Sequence, residues 1–497
     1  MGKGRAPSRH TEIEQKFDVI DTTVFPSFDG LAAVGRTEKL PIQRLEAIYF
    51  DTPGYDLSAN LVTLRRRTGG EDAGWHLKLP GKRARTEIRT PLGPDGDAVP
   101  EELLDTVRAI VRDRPLVPVA RITTAREVTR VYAHGGYPLA EFCDDRVTTS
   151  SLDITDGHVL TEQGWREWEL ELVDGTLEDG SAVLERLGHR LHDAGAVPAA
   201  HGSKLAKTLG LTAPDREPPS DPVHRAVAEQ ISLLLEWDRA VRADADDAVH
   251  QMRVTIRQIR SLLQASGDAF GLTDDSTILS ELRELAAVLG AARDAEVLAD
   301  RYGAALDALP PDLVRGPVRE RLVRGAWQRY HTGLNRSLKA MRSPRYFRLL
   351  DALDELVYTP VPEPDDQHPP TTIASSYDRL RKAVKKSVAA RDGGTRDERD
   401  EALHRIRKAA KRLRYVAAAT GAARVSERAK AIQTLLGEHQ DSVVSRNHLL
   451  REATLAHAAG EDTFTYGLLY QQEAELAREC RQQLDAALAK LRRTVRR

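Results

Sequence analysis

The chain has 497 residues and sets 73 lysines and arginines against 75 aspartates and glutamates, a net charge of −2 that excludes a global field aimed at nucleic acid or membrane. Charged side chains still make up 30% of it, so their local placement carries the information. Two distant cysteines, Cys143 and Cys480, exclude a disulfide framework and a clustered zinc site, the start MGKGRAPSRH has no apolar signal segment, and no run reaches the length of a membrane span. The expectation is a soluble cytoplasmic protein of two or three domains.

In chain order, the first signal is Glu12, Glu14 and Lys16, two carboxylates and an ammonium at alternate positions. In a β-strand these project from one face. An ordinary core does not accept them, because desolvating charge costs several kcal/mol unless it is paired or binds an ion. Carboxylates so placed suit a hard divalent cation. The runs LVTLRRR, GWHLKLP, YPLAEFCDDRV and WREWELELVDG, separated by Gly, Pro and Asp turns, read as further strands, with helices at 100–112 and 181–194. By parity Arg65 joins Arg67, His76 joins Lys78, Arg85 joins Glu87 and Arg89, and Glu141 joins Cys143 and Asp145. Glu167, Glu169 and Glu171 stand opposite Trp168, Leu170 and Leu172.

An antiparallel sheet with one wet face explains any single strand of this kind. The set is better explained by a barrel that turns every charged face into one lumen. Such a lumen is a polyanion site, in which arginine and lysine rows take phosphoryl oxygens and acidic pairs hold Mg²⁺ or Mn²⁺. Empty, it is expected to be electrostatically strained. Thr63, His76 and Cys143 share the inward parity without a role, and no aromatic platform for a nucleotide base is evident among the inward positions.

Two Pro/Asp-rich stretches, TAPDREPPSDP at 212–222 and TPVPEPDDQHPPT at 359–371, read as linkers. Beyond the first the chain is helical, and it repeats. HQMRVTIRQIRSLL at His250 aligns with HRIRKAAKRLRYVA at His404, and a later match pairs Gly290 with Gly437 and Asp294 with Asp441. A tandem duplication with pseudo-twofold packing follows. In each copy a histidine leads a basic stripe along one helical face: His250, Arg253, Arg257 and Arg260, then His404, Arg407, Lys411 and Arg414. A solvated face accounts for one stripe, but two brought together repel unless they share an anion. Metal chelation by the histidines is disfavoured by the cations around them. Gly290 and Gly437 read as packing or capping positions.

Glu12-x-Glu14-x-Lys16, YFDT from Tyr49, Leu64-Arg65-x-Arg67, Leu77-Lys78-x-Pro80, Glu169-x-Glu171 and Ser203-Lys204-Leu205 together resemble the CYTH family of triphosphate tunnel metalloenzymes. The resemblance implies an eight-stranded antiparallel tunnel acting on triphosphates with a divalent metal. It makes Glu12, Glu14, Glu169 and Glu171 metal ligands, with Asp145 a further candidate. Lys16, Arg65, Arg67, Lys78, Arg126 and Lys204 become phosphate-binding cations, with Arg85 and Arg89 as additional ones. The helical repeats resemble the CHAD domain, which implies two four-helix bundles that bind polyphosphate through His250, Arg253, Arg257, Arg260, His404, Arg407, Lys411 and Arg414.

The fold expected is therefore α+β in two domains: an antiparallel eight-stranded β tunnel or barrel with helices at 8–210, a linker at 211–222, and an all-α domain at 223–497 with repeats 223–358 and 372–497. The function expected is metal-dependent hydrolysis of inorganic triphosphate or short polyphosphate, Mg²⁺ or Mn²⁺ serving as cofactor. Alternatives are adenylate cyclase, thiamine or nucleoside triphosphatase on the same fold, or a non-catalytic polyphosphate-binding protein targeted to granules. No membrane partner is expected, RNA is the weakest partner considered, and the oligomeric state is not legible.

Overall fold

The computed structural model describes residues 8–81, 84–93, 98–174, 180–211, 219, 221–265, 270–273, 275–358, 372–393 and 395–495. The proline-rich stretches 212–218 and 359–371 lie outside them. Two compact units divide the chain at 217/218.

The first unit is built on strands β1 (Ser8–Glu12), β2 (Glu14–Val19), β3 (Arg36–Lys39), β4 (Gln43–Asp51), β5 (Thr63–Thr68), β6 (Gly74–Leu79) and β7 (Arg85–Thr90). Three long strands follow, β8 (Val117–Tyr132), β9 (Pro138–Leu152) and β10 (Val159–Leu172), then the short β11 (Val197–Pro198). Helices α1 (Asp56–Ala59), α2 (Glu101–Val111), α3 (Gly180–Asp193) and α4 (Lys204–Leu209) are interspersed. The strand order is β1-β7-β6-β5-β4-β8-β9-β10-β2-β11, with β3 on β8, and the pairings are antiparallel.

This corrects the closed eight-stranded barrel: among the described residues the sheet has eleven strands, ten on an open path and β3 beside it on β8. The strand expected through Glu12, Glu14 and Lys16 is broken at Ile13. Its first part pairs with β7 and its second with β10, so one stretch of chain carries both sides of the break. Ile13 packs on the apolar core, and its carbonyl accepts a hydrogen bond from Leu172 N at 3.0 Å.

The apolar parity decides which way each charged face points. Phe17, Phe142, Trp168 and Leu170 pack against Leu184, Leu187 and Leu191 of α3. Leu64, Trp75, Leu77 and Ile88 pack against Leu103, Val107 and Ile110 of α2. Each such side chain contributes roughly 1.5–3 kcal/mol on burial. A strand slipped by one residue would put charge under those helices, so burial on the helical side sends the charged parity to the other face.

The YFDT segment has a structural part. Asp51, fully buried at the end of β4, accepts hydrogen bonds from Thr52 N (2.7 Å), Leu57 N (2.9 Å), Ser58 N (2.9 Å) and Ser58 Oγ (2.8 Å), which ties α1 to the strand.

The second unit is helical: α5 (Pro222–Arg242), α6 (Ala248–Ala265), α7 (Thr277–Asp307), α8 (Gly325–Met341), α9 (Pro344–Tyr358), α10 (Ile373–Gly393), α11 (Arg396–Ala419), α12 (Ala423–Ala458) and α13 (Phe464–Val495). The corresponding helices α6 and α11 pack against each other, and Arg412 Nη2 donates to Gln264 O across that contact at 3.3 Å. Met252, Ile256, Ile259 and Leu263 bury one side of α6, as Leu403, Ile406, Ala410 and Leu413 do on α11. No helix among the described residues is long and apolar enough to cross a membrane.

Asp51→Ala orphans two buried donors, Thr52 N and Leu57 N, and two part-buried ones on Ser58 at the end of β4. It is expected to lower unfolding free energy by about 3 kcal/mol, read as a fall in the urea midpoint with the slope unchanged.

Candidate functional site

The charged faces of the sheet line a cavity of about 590 Å³. Lys16, Arg65, Arg67, Lys78, Arg85, Arg126 and Lys204 line it, as do Glu12, Glu169, Glu171 and the additional Arg89. Two expected residues stand just behind. Glu14 pairs with Lys16 and lies 3.5 Å from Arg85 Nη1, and Asp145 is fully buried beneath Arg126 and Lys204. Lys204, which could have sat in an exposed turn, opens α4. Ser203 caps that helix by accepting from Ala206 N at 3.1 Å, and the lysine turns inward.

Cations and carboxylates in the cavity are matched across strands. Lys78 holds Glu12, and Lys16 reaches Glu169 at 3.4 Å. Arg126 grips Asp145 at 2.8 and 2.6 Å and Glu169 at 2.5 Å. Lys204 Nζ lies 2.9, 2.6 and 2.8 Å from Asp145, Glu167 and Glu169. Glu87 takes Arg89 at 2.5 Å and faces Arg65 at 3.7 Å, while Arg67 pairs with Asp72. The strain expected of an empty lumen is therefore largely relieved by the protein's own charges. What remains is local: the buried Nε groups of Arg65 and Arg67 have no hydrogen-bond acceptor among the described residues. Burial, then Arg65 and Arg126, brings the Arg67 guanidinium down to about 9.

Parity pointed at Glu87 and Glu167 without giving either a part. Burial alone would raise the Glu87 carboxyl. The hydrogen bond with His76 and the charges of Lys78 and Arg65 instead hold it below the ordinary carboxylate range. His76 is packed, its Nδ1 2.9 Å from Glu87 Oε1 and its Nε2 2.9 Å from the Asp72 carbonyl. Both partners are acceptors and favour a doubly protonated ring. Burial opposes that charge, and with Arg65 and Arg67 brings the ring down to about 4, so we take it as neutral with one bond weakened. Cys143 is buried and pushed up to about 12, chiefly by that burial, and is inert as a nucleophile. Tyr49 also lines the cavity, an inward aromatic that charge parity could not flag because its inward neighbours Leu45 and Ala47 are apolar.

Two features fit a divalent cation. Asp145, Glu167 and Glu169 bring carboxylate oxygens within 4.8 Å of one another, although the Lys204 ammonium lies among them. On the other side, Glu12 Oε2 is buried without a hydrogen-bond partner, and among the described residues no ion pair engages Glu171. Burial, then Glu12, Glu14 and Glu169, raises the Glu171 carboxyl to about 7. Hard oxygen donors crowded together suit Mg²⁺ or Mn²⁺. The two groups differ in what is already taken: Lys204 reaches all three acids of the first, whereas in the second Lys78 holds Glu12 through Oε1 and leaves Glu12 Oε2, with Glu171, open among the described residues.

In the helical unit the basic stripes are half-buried rather than solvated, and they meet where α6 packs on α11. Arg253 Nη1 reaches Asp294 at 3.1 Å, and Arg414 Nη1 reaches Gln433 at 3.2 Å. Among the described residues no carboxylate pairs with Arg257, Arg260 or Lys411, and the Nε groups of both arginines are buried without an acceptor. Burial, followed by Arg257, Arg407, Arg260 and Arg253, drives Lys411 down to about 7. His250 and His404 are lowered too, by burial first and then by neighbouring cations that include Arg293 and Lys408 respectively.

The CYTH domain family matches residues 10–192, and the CHAD domain family matches residues 225–450. Two uncharacterized proteins from strains of Mycobacterium tuberculosis are each 62% identical over 504 residues, covering 99% of this chain and 98% of theirs. The chain belongs to the CYTH–CHAD proteins. Among solved structures, the CHAD domain from the plant Ricinus communis is 25% identical (TM-score 0.41), with 55% of this chain and 90% of that one covered. PptA from Streptomyces chartreusis is 18% identical (TM-score 0.44), with 55% and 100% covered. HpAC1 from Hippeastrum, described as having a dominant triphosphatase activity, is 20% identical (TM-score 0.25), with 40% and 95% covered.

In the CHAD domain the paired glycines sit in mid-helix, on α7 and α12, and so cannot be caps. A Cβ on Gly290 would stand 3.3 Å from Arg253 Nη2, and one on Gly437 would stand 3.4 Å from Arg407 Nη2. Each glycine makes room for a stripe arginine of its own repeat.

Lys411 has a folded pKa below that of an unfolded lysine, so folding releases its proton between those values and stability rises with pH across that window. Below about pH 7 the cost is present in full. Lys411→Met is expected to stabilise the ligand-free protein by on the order of 2 kcal/mol at pH 6–7, fading toward pH 10. Denaturant melts of both proteins across that range check it.

Proposed function

We propose that the protein hydrolyses inorganic triphosphate or a short polyphosphate in the CYTH cavity with Mg²⁺ or Mn²⁺, while the CHAD helices, α5–α9 in one repeat and α10–α13 in the other, bind polyphosphate. The observation that carries the catalytic part is the pairing of opposites within one cavity. Among the described residues Glu171 and Glu12 Oε2 lack partners, and so do the Nε donors of Arg65 and Arg67. A divalent cation with a triphosphate satisfies both.

In this reading Glu12, Glu14, Glu169 and Glu171, with Asp145 behind, hold the metal. When bound, the metal supplies neutralisation of the phosphoryl charge and polarisation of the phosphorus. Arg65, Arg67, Arg126 and Lys78 take the phosphate oxygens, and Lys16, Arg85 and Lys204 extend the cationic wall. These groups bind the chain of phosphates, orient it, and stabilise the negative charge that moves toward the leaving oxygen. Tyr49 is the only aromatic side chain among the lining residues of the described chain, so no pair of rings is available to clamp a base, which favours an inorganic substrate over a nucleotide.

A second reading, a polyphosphate-binding protein without catalysis, has one observation in its favour. The unpaired cations of α6 and α11 suffice for polyanion binding by themselves.

The deciding experiment measures phosphate release from inorganic triphosphate, ATP and long-chain polyphosphate with Mg²⁺ or Mn²⁺. Metal-dependent release from inorganic triphosphate is expected. Glu12→Gln and Lys78→Ala should each cost roughly a hundredfold or more in kcat, about 3 kcal/mol, in folded protein. Absence of release from metal-loaded wild type transfers the assignment to the second reading. Polyphosphate binding by the helices should weaken steeply with salt and drop further in Arg257→Ala; a salt-insensitive interaction contradicts the basic-face assignment.

A further inference from the structure

Lys411 lies on α11 where the two basic stripes meet. From α6 it faces Arg253, Arg257 and Arg260, and on its own helix Arg407. The Tyr415 ring lies 5.8 Å from its ammonium, with the Arg414 guanidinium 5.3 Å from the same ring. Among the described residues, the other elements packed on α11 set no carboxylate against the lysine. α12 brings Asp441, which faces Arg407, Gln433, which takes Arg414, and Glu438, which pairs with Arg301. α10 packs through Leu380, Ala383 and Val384, while its charged residues from Asp378 to Lys386 are exposed. On α5, Asp238 is held by Arg242 and Tyr346, and Arg239 has Glu236 and Asp238 as charged neighbours. The Nε groups of Arg253, Arg257 and Arg260 are buried without an acceptor. Four guanidiniums and one ammonium thus share a half-buried face, and the loss of one proton relieves their repulsion. An arginine keeps its proton over the whole working range, whereas a lysine buried among cations gives it up. Burial first, then the four arginines, accordingly bring Lys411 down to about 7. A polyanion laid on this face supplies the missing counter-charge, which favours only the charged form of the amine.

We propose that the CHAD face binds polyphosphate together with a proton, taken up by Lys411, so that capture tightens toward acid and loosens toward base. This deepens the polyphosphate-binding reading above and rests on it. The neutral amine accepts a proton from buffer, stands as an ammonium in the complex, and returns the proton when the chain leaves. Above about pH 7 the free protein has shed the Lys411 proton while the complex retains it. Affinity therefore falls as pH rises from there, by up to about tenfold per unit. Below that point Lys411 is charged in both forms and contributes no slope. His250 and His404, lowered by burial and then by neighbouring cations, add their own uptake toward the acid side.

The test titrates the full chain with long-chain polyphosphate in a calorimeter, with a chelator present to silence hydrolysis and ionic strength held constant. Long chains are used because only their ends titrate near neutrality. At about pH 8, buffers of contrasting ionisation enthalpy give the number of protons taken up. Wild type is expected to take up about one proton for each CHAD domain occupied, and its Kd to rise roughly tenfold between about pH 7 and pH 8.5. Lys411→Arg keeps the charge but cannot shed it, so the uptake should vanish and Kd should stay within about twofold over that range. Lys411→Met removes the proton site and should give the same flat profile, with weaker binding at pH 7. Far-UV circular dichroism with a thermal melt confirms the fold of both variants. Wild type that binds without net proton uptake overturns the proposal, as do variants that keep the wild-type uptake and slope. Wild type that binds polyphosphate at no pH overturns the polyphosphate-binding reading, and this coupling with it.

Discussion

Charge inside a protein has to be answered by charge, and the two halves of this chain answer it in opposite ways. In the CYTH domain the carboxylates come from the neighbouring strands: Glu12 for Lys78, Asp145 and Glu169 for Arg126, three acids for Lys204. On the CHAD stripes the answer is incomplete: among the described residues no carboxylate pairs with Arg257, Arg260 or Lys411, and Lys411 among four arginines is pushed down to about 7. An anion entering the first site must exchange partners with groups already paired, which makes the site discriminating, because only a ligand with matched charges and spacing recovers what it disrupts. An anion reaching the second relieves a repulsion that is already there, so any polyanion of sufficient length is rewarded. On the proposed function, selectivity and avidity are thus distributed between two domains by how fully their cations are matched with counter-charge.

The same constraint explains the inside-out character of the sheet. Its apolar parity is covered by α2 and α3, with Trp75 and Trp168 buried there, and the charged parity is left to face its own kind across the cavity. A sheet with a wet face would have tolerated the same pattern. Burial of the charged face itself decides between the two, since Glu12, Arg67 and Glu87 line one cavity and are buried there instead of standing in open water.

Much of this was legible from alternation. Eleven expected residues line the cavity and two stand behind it, because parity is a local property that each strand carries in its own residues. What alternation does not carry is register. The partner of Arg89 and Arg65 is Glu87, and Glu167 joins Asp145 through Lys204; such pairings depend on how strands align. The break at Ile13 was hidden for the same reason: Glu12 and Glu14 keep their alternation while their pairing changes from β7 to β10, and the path stays open where a closed barrel was expected. Tyr49 escaped because its strand shows no run of charge. In the helices the repeat exposed both stripes, but the unpaired state of Arg257 and Lys411 depends on the packing of α6 against α11, which no single helix encodes.

The divided first strand has a consequence for synthesis. Residues 8–19 leave the ribosome before the rest of the domain, yet their partners β7 and β10 end only at Thr90 and Leu172. The first strands of this domain therefore wait for their partners, β1 while 73 residue positions pass from Glu12 to Arg85 and β2 while 140 pass from Val19 to Val159, with backbone donors and acceptors exposed meanwhile. The exposed edge of β1, carrying Ser8, Arg9, His10 and Thr11, is polar throughout, which protects a nascent chain from pairing with its neighbours during that wait.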